Sequence, residues 1–326
     1  MNKKITAVVL ATIFLATVSL AEAQQSKKVP RIGVIDPTNS STAVHRMNAL
    51  QQGLRQLGYV DGTNISIEYR YSDGKPDRLS ALAAELVGLK VDIILAGNNA
   101  VARAVSAITK TIPIILLNGS DPVVGGLVAS LARPGGNITG FTNFTIDLTV
   151  KRLELLKEIV PRLTRVAILP GPAAPLLVKE IQSTAPYLQI QLQILEVRVA
   201  DDFRRAFAAA TKARAGALAV TSDSTGLFRS NEKQIVELAA KHRLPAIYPQ
   251  STYVDAGGLV SYAANELEFY RRAATYVDKI LKGTKAADLP IERPMRFEFV
   301  INLNAAKQIG LTVPPNVLVR ADKVIR

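Results

Sequence analysis

The sequence predicts an α/β protein of two doubly wound lobes with parallel sheets, and three features of the chain lead to this fold. Short apolar runs rich in β-branched residues recur along the chain, and each ends in small polar residues. Segments with helical periodicity separate these runs, as is typical of strand–helix–strand crossovers. The alternation starts again near residue 143, which indicates two similar halves. Two such halves, joined by strands that pass between them, enclose a cleft.

The clearest strand–helix–strand unit lies in the middle of the first half. Residues 93–95 form a short apolar run that ends at Gly97, as expected of a strand buried on both faces. Asn98 or Asn99 can cap the helix that follows, and a second buried run covers residues 114–117. The spacing is about the minimum for a right-handed parallel crossover. Ligands of open α/β sheets bind beyond the carboxyl ends of such strands.

The other elements follow from the same patterns. Further strands of the first half are predicted at 31–35, 65–69 and 138–141, and those of the second half at 166–169, 192–197, 217–220, 246–248 and 259–262. Asp77 and Asp201 are predicted to cap helices. The helix at 266–282 is expected to return to the first lobe, with a strand at 297–301. These boundaries predict one lobe from residues 30–142 plus 265–326 and another from 143–264.

Composition and charge narrow the possible functions. Of the 326 residues, 48% are apolar and 21% charged, which is ordinary for a globular protein of about two domains. The formal net charge is +13, but the basic residues are scattered in pairs without interleaved aromatic residues. This distribution indicates a solvated basic surface and no nucleic-acid partner. The absence of cysteine excludes disulfides, thiolate metal sites and a bacterial lipid anchor.

The amino-terminal residues are typical of an export signal. Lys3 and Lys4 precede an apolar run at 5–20, and the Ala-Glu-Ala sequence at 21–23 fits a cleavage site. The run falls short of the roughly 20 residues that a membrane-spanning helix needs. We therefore expect a cleavable signal peptide at 1–23 and a soluble, periplasmic mature protein.

No catalytic motif emerges from the sequence. His45 and His242 lie on predicted helices, where a surface or capping role is expected. The first strand leads into Asp-Pro-Thr-Asn-Ser-Ser at 36–41 instead of a glycine-rich phosphate turn, so a dinucleotide cofactor is not expected. The sequence predicts no metal, no cofactor and no enzymatic activity.

Small polar residues at the strand ends are the candidate ligand-binding groups. Helix amino termini at these loops suit a carboxylate or another anion, and Asp121 and Asp223 can accept an ammonium group. Each of these residues taken alone is also an ordinary cap or turn residue, but loops that converge on one cleft favour a functional role. The predicted ligand-binding residues are Ser41, Asn98, Asn99, Ser120, Asp121, Asn143, Asp223, Tyr248 and Ser251.

Several longer segments resemble a known family. They are QGLRQLGY at 52–59, IEYR at 67–70, DPV at 121–123, LVASLARPGGNITG at 127–140, KRLELLK at 151–157, RRAATYVDKILKG at 271–283 and VINL at 300–303. Together they are similar to ABC-transporter substrate-binding proteins, whose relatives include tryptophan and tyrosine binders. The resemblance covers nearly all of residues 30–326. It implies a type I periplasmic-binding fold with a three-strand hinge.

The resemblance also implies a function. It predicts a receptor, expected to be monomeric, that binds a small amino-acid-like or carboxylate solute in the cleft and delivers it to an inner-membrane ABC permease. Gly97-Asn98-Asn99-Ala100 departs from the family's usual Gly-Thr-Pro-Ala, so an aromatic amino acid does not carry over directly. Two alternatives stay open, a two-domain α/β enzyme and a sugar-repressor-like regulator. The regulator class needs an amino-terminal helix-turn-helix where this chain has its export signal.

Overall fold

The computed structural model describes residues 29–143, 145–171, 175–223 and 225–326, and within them the chain forms two helix-flanked sheets. The predicted signal peptide at 1–23 lies outside the described residues. None of the helices within the described ranges is long and apolar enough to cross a membrane.

The elements alternate along the chain much as the sequence patterns predict. The strands are β1 (Arg31–Asp36), β2 (Ser66–Tyr71), β3 (Ile93–Ala96), β4 (Ile114–Gly119), β5 (Ile138–Thr142), β6 (Arg165–Leu169), β7 (Gln191–Ile194), β8 (Ala217–Val220), β9 (Ala246–Tyr248), β10 (Val260–Ala264), β11 (Ile291–Glu292), β12 (Phe297–Asn302) and β13 (Lys323–Ile325). The helices are α1 (Ser40–Gln56), α2 (Leu79–Gly88), α3 (Asn99–Ile108), α4 (Thr145–Ile159), α5 (Pro175–Thr184), α6 (Asp202–Lys212), α7 (Leu227–Ser230), α8 (Glu232–Lys241), α9 (Thr252–Asp255), α10 (Glu266–Leu281), α11 (Leu303–Gln308) and α12 (Pro315–Leu318).

The first sheet has six strands in the order β11-β5-β4-β3-β1-β2, and all adjacent strands are parallel. Helices α1 and α10 pack on one face, where Met47, Leu50 and Phe269 join a common core. Helices α2 and α3 cover the other face. Strand β3 is buried on both faces, which explains why Ile93–Ala96 is apolar without alternation.

The second sheet has seven strands in the order β13-β12-β10-β9-β8-β6-β7. Its pairs are parallel except for β10 with β12, which is antiparallel. Helices α4 and α5 lie on one face and α6 and α8 on the other. The predicted class of two doubly wound α/β lobes is thereby confirmed.

The chain passes between the two sheets three times, after β5, after β10 and between β11 and β12. These passages correspond to the predicted three-strand hinge. They orient the sheets so that the loops after β1, β3 and β4 face those after β8 and β9 across one cleft.

The structure corrects the predicted boundary of the first lobe. The sequence predicts that all of residues 265–326 belong to the first lobe, but β12 and β13 belong to the second sheet. Ile301 pairs with Val260 of β10, and Phe299 packs into the core of the second lobe. The sequence at 297–301 predicts a strand correctly, but it does not specify which sheet that strand joins.

Three local predictions also differ from the structure. Asp77 lies in a 3₁₀ turn, Pro76–Arg78, and does not cap α2. Asp201 makes no capping hydrogen bond, and the Asp202 Oδ2 instead accepts hydrogen bonds from the backbone N–H of Arg198 at 2.9 Å and of Val199 at 3.1 Å. The strand predicted at 192–197 ends at Ile194. Leu195 and Val197 are apolar because they are buried, although they lie in irregular chain after the strand.

Candidate functional site

A cavity of about 60 Å³ lies between the lobes, where the carboxyl ends of both sets of strands meet. We call it the interlobe cavity. The polar residues that line it from the strand ends, loops and α1 of the first lobe are Asp36, Thr38, Arg46, Asn98, Asn118, Ser120 and Asn143. Those that line it from the second lobe and from α10 are Ser222, Asp223, Arg229, Gln250, Glu266 and Tyr270. The lining is therefore rich in hydrogen-bonding and charged groups.

The two lobes touch at the rim of the interlobe cavity. A Cβ atom on Gly226 of the second lobe would lie 2.7 Å from the carbonyl oxygen of Pro37 in the first. Gly226 also has a φ of +86°, a conformation that side chains other than glycine rarely adopt. On the same rim, a Cβ atom on Gly74 would lie 3.6 Å from the Ser230 Oγ. The structure is thus a closed arrangement of the lobes.

Arg46 and Asp36 form a buried ion pair at the first-lobe wall. The Arg46 Nη2 lies 3.0 Å from the Asp36 Oδ1 and donates a further hydrogen bond of 2.8 Å to the Thr38 Oγ1. Burial lowers the pKa of Arg46, but Tyr270, Asp36 and Glu266 outweigh this effect and raise the pKa above its ordinary value. Arg46 therefore stays charged and fully partnered.

Glu266 on α10 links Arg46 to the second lobe. Its Oε1 accepts a hydrogen bond from Arg229 and lies 4.0 Å from the Arg46 Nη1. The Arg229 Nε in turn lies 3.2 Å from the Glu232 Oε1, which accepts a hydrogen bond of 2.9 Å from the Thr252 Oγ1. We call Asp36, Arg46, Glu266, Arg229 and Glu232 the charge chain. It crosses from one lobe to the other and holds more acidic than basic groups.

The hydrogen bonds of Glu266 leave part of its carboxylate for a ligand. Its contacts with Arg229 and Arg46 both involve the Oε1 atom. Glu266 also lines the interlobe cavity, where its second carboxylate oxygen can accept from a ligand. Both oxygens of Asp36 are occupied by Arg46, and one of them also accepts from Thr38. Among the cavity carboxylates described so far, Glu266 is therefore the one able to receive a cationic group.

Four of the predicted ligand-binding residues line the interlobe cavity, namely Asn98, Ser120, Asn143 and Asp223. The Asn98 Oδ1 accepts a hydrogen bond of 3.1 Å from the Val101 N–H and so caps α3. The Asn143 Nδ2 donates a hydrogen bond of 2.7 Å to the Asn118 Oδ1. The structure thus brings strand ends of both lobes together, as the sequence predicts.

Asp223 lines the cavity, but its carboxylate is engaged by its own loop. Its Oδ1 accepts from the Thr225 N–H and from the Thr225 Oγ1, each at 2.7 Å, and its Oδ2 accepts from the Phe228 N–H at 2.8 Å. Burial raises the pKa of Asp223, and these hydrogen bonds offset only part of that shift. The carboxylate holds the loop that leads into α7, which leaves it little capacity for an ammonium group.

Three other predicted residues, Ser41, Asn99 and Asp121, lie outside the cavity lining. Ser41 is exposed and donates a hydrogen bond to the side chain of Asn39. The Asn99 Nδ2 donates to the Ser120 carbonyl at 2.6 Å, and its Oδ1 accepts from the Ser120 N–H at 3.1 Å. Asp121 has a positive φ of 45°, and burial raises the pKa of its carboxyl. Asn99 therefore positions the loop that carries Ser120, and it does not face the cavity.

The two remaining predicted residues, Tyr248 and Ser251, also lie away from the lining. Tyr248 is buried in the second-lobe core and stacks on Tyr253 with ring centroids 5.0 Å apart. Its position at a strand end is correct, but its side chain points to the face covered by α6 and α8. Ser251 precedes α9, and the neighbouring Gln250 lines the cavity instead.

Sequence reasoning missed the charge chain, which it assigned to a solvated surface. For Arg46 a signal was present: it lies three residues after Ala43 and four before Leu50, on the buried stripe of α1. Glu266 likewise lies four residues before Tyr270 on the core face of α10. Arg229 is on a four-residue helix, where periodicity carries no information.

A smaller compartment of about 10 Å³ adjoins the interlobe cavity. The two share the wall formed by Asn118, Asn143, Ser222, Gln250 and Glu266. The smaller compartment is further lined by Leu148, Arg152, Pro249, Ala264 and Phe269. We call it the deep compartment; beyond the polar wall that it shares with the interlobe cavity, its other lining residues are apolar except for Arg152.

Neither histidine of the described chain lines the interlobe cavity. His45 is exposed, and the His242 Nδ1 lies 2.8 Å from the Thr211 Oγ1. In the part of the chain that the structure describes, no group of three or more histidine and acidic residues could hold a metal ion. The cavity side chains instead supply amide, hydroxyl and charged groups that are already fixed in position, as in small-molecule binding sites.

Comparison with known proteins identifies the family. The model of the ABC transporter substrate binding protein family matches residues 31–325. The tyrosine-binding protein of Clostridioides difficile is 25% identical over 290 residues, which cover 88% of this chain and 82% of that protein.

Solved structures agree with this assignment. A conserved domain protein from Vibrio cholerae superposes with a TM-score of 0.85 at 26% identity, covering 91% of this chain and 100% of that one. The fold is also that of an ABC domain from Streptococcus pneumonia in complex with L-Trp, which superposes with a TM-score of 0.81 at 24% identity. The superposition covers 90% of this chain and 100% of that one. The chain therefore belongs to the family of ABC transporter substrate-binding proteins.

Proposed function

We propose that this protein is an exported receptor that captures an amino-acid-like solute in the interlobe cavity and delivers it to an inner-membrane ABC permease. The observation that carries the proposal is the cavity itself, which both lobes line with fixed polar groups. A site divided between two lobes can open to admit a solute and close around it.

The ligand class is inferred from charge and from relatives. Glu266 offers a carboxylate oxygen to a cationic group, while Asn98 and Ser120 lie at a helix amino terminus and a strand end that suit an anion. The similar proteins include one that binds tyrosine and one in complex with L-Trp. An α-amino acid carries both charges, so it matches this arrangement better than a neutral sugar does.

The delivery step follows from lobe closure. The charge chain includes the ion pair between Arg229 and Glu266, which joins α7 of the second lobe to α10 on the first. A ligand that contacts both lobes adds to this interaction and shifts the population towards the closed form. The closed form presents both lobes in one fixed relation, which a permease can recognise.

The proposed location is the periplasm. Residues 1–23 have the composition of a cleavable export signal, and the chain has no cysteine for a lipid anchor. The mature chain would begin near Gln24 and act as a monomer, because one chain already supplies both walls of the cavity.

A thermal-shift screen of residues 24–326 against the common amino acids, small dicarboxylates and sugars tests the ligand class. We expect at least one amino acid to raise the melting temperature, because a ligand that binds only the native state stabilises it. Calorimetry then gives the affinity for each compound that shifts the transition. Stabilisation by sugars alone would contradict an amino-acid ligand, and conversion of a bound compound during calorimetry would contradict a receptor.

A further inference from the structure

The guanidinium of Arg152 is a buried cation that has no counterion among the residues the structure describes. Arg152 lies on α4 and is 2% exposed. Its Nε donates a hydrogen bond of 2.8 Å to the Tyr262 carbonyl, while its Nη1 has no hydrogen-bond partner in the described part of the chain. Burial lowers the pKa of Arg152 to about 9, and Tyr262 offsets only part of this effect. The group therefore stays protonated at neutral pH, with part of its hydrogen-bonding capacity unused.

This environment differs from that of the other buried arginines. Arg46 has the carboxylate of Asp36, and Arg229 has those of Glu266 and Glu232. No ion pair in the described part of the chain includes Arg152. A buried charge that lacks a partner is strongly unfavourable, so such a group persists in a binding protein when a ligand completes it.

The position of Arg152 relates it directly to the proposed ligand site. It lines the deep compartment, which shares Asn118, Asn143 and Glu266 with the interlobe cavity. Glu266 lines both spaces and Arg152 lines the deep compartment, so a solute that occupies both spaces lies near both side chains. The walls thus offer one negative and one positive group to the same molecule.

We propose that Arg152 binds a carboxylate group of the solute in the deep compartment, while Glu266 binds its cationic group. This inference rests on the proposed function, because it names the charged groups of the same ligand. The compartment of about 10 Å³ has room for about one water-sized group, such as one oxygen of a carboxylate that enters from the interlobe cavity, and it is too small for a bulky phosphate ester. The planar fork of arginine matches a carboxylate in shape and charge.

Variants at position 152 combined with paired ligands test this assignment. Arg152→Met removes the charge, and Arg152→Lys retains it without the fork. Lys151→Met is the matched control, because the side chain of this neighbouring lysine is 44% exposed and pairs with Glu154. The probes are L-tyrosine with L-tyrosinamide and L-glutamate with L-glutamine, so each acid is compared with an amide that lacks one carboxylate. Calorimetry measures all four affinities for each variant.

We expect Arg152→Met to weaken binding of the acid about 10- to 100-fold and to leave the matching amide nearly unchanged. Lys151→Met should change neither. A difference between L-tyrosine and L-tyrosinamide would identify the carboxylate bound by Arg152 as the α-carboxylate. A difference between L-glutamate and L-glutamine would identify it as a side-chain carboxylate. An equal loss for acid and amide would assign Arg152 a purely structural role and overturn the proposal. Wild-type protein that binds amide and acid equally well would overturn it too.

The melting temperature of the ligand-free protein separates this inference from the proposed function. If no amino acid in the thermal-shift screen binds wild-type protein, the amino-acid ligand is contradicted, and the stability of Arg152→Met then decides the role of Arg152. We expect a melting temperature no lower than that of wild-type protein, because the variant removes an unpartnered buried charge. A clearly lower value would identify a structural anchor and overturn the assignment.

Discussion

Arg46 illustrates how a single side chain can carry a charge into a protein core. It lies on the buried stripe of α1, and its guanidinium is almost completely removed from water, as is the carboxylate of Asp36. Such a pair contributes little net stability when intact, but either charge left alone is costly. The pair also fixes the end of β1, where the first-lobe wall of the interlobe cavity begins.

We expect Asp36→Asn to lower the free energy of unfolding by about 3 to 5 kcal/mol, because Arg46 would stay buried without its carboxylate. The control Glu85→Gln breaks a pair with Arg70 of 2.8 Å that faces solvent. That change should cost about 0 to 1 kcal/mol. Urea unfolding followed by circular dichroism measures both variants. Equal, small losses in the two variants would show that buried Arg46 tolerates the loss of its carboxylate partner.

Helix α3 illustrates how one element serves both the fold and the cavity. Asn98 caps its amino terminus and lines the interlobe cavity. Asn39 caps α1, where its Oδ1 accepts a hydrogen bond of 2.8 Å from the Thr42 N–H, but it does not line the cavity. The two caps are chemically the same, so they separate the structural role of an asparagine from a role in binding.

We expect Asn98→Ala and Asn39→Ala each to lower the free energy of unfolding by about 1 kcal/mol, the usual contribution of a helix cap. Only Asn98→Ala should also weaken binding of the amino acid that gives the largest thermal shift. Calorimetry and urea unfolding on both variants provide the comparison. Unchanged affinity in Asn98→Ala would remove this asparagine from the ligand contacts.

The elements were largely predictable because buried parallel strands have a strong local signal. The run at 93–95 can be recognised as a buried strand from its own residues, and Gly97 and Asn98 after it mark the strand end. Long-range information decides the rest: β12 joins the second sheet through its pairing with β10, and Tyr248 enters the core because of its strand register. No local pattern contains those contacts.

The site was predictable to the extent that it follows from strand ends. Asn98, Ser120, Asn143 and Asp223 line the cavity because parallel strands in both sheets end there. The charge chain was not predictable, because Arg229 and Glu266 lie 37 positions apart in the sequence and on different lobes. Charged residues on helices are mostly solvated, so the exceptions emerge only from the packing of the whole molecule.

The two lobes as a whole meet at a rim with almost no spare room. Gly226 carries no side chain where the Pro37 carbonyl of the opposite lobe approaches, so closure depends on that glycine. Gly58 has a similar φ of +84°, but an added Cβ atom there would meet nothing within 4 Å. The two glycines share the same backbone requirement and differ in the contact between lobes.

We expect Gly226→Ala and Gly58→Ala to lose similar stability, about 1 to 2 kcal/mol each, from the left-handed conformation. Only Gly226→Ala should weaken affinity for the stabilising amino acid, by about tenfold or more, since the added methyl group keeps the lobes apart. Calorimetry measures the affinity, and small-angle scattering with and without ligand measures closure. Normal closure in Gly226→Ala would show that the rim contact yields readily.

The late position of β12 and β13 in the chain affects how the protein is made. The other strands of the second sheet lie between Arg165 and Ala264, yet the ribosome first adds α10 and β11, which belong with the first lobe. The first sheet therefore lacks an edge strand until Glu292 is synthesised, and the second lacks two strands until Ile325. Nascent chains shorter than this leave sheet edges unpaired, so both halves reach their final form only near the end of translation.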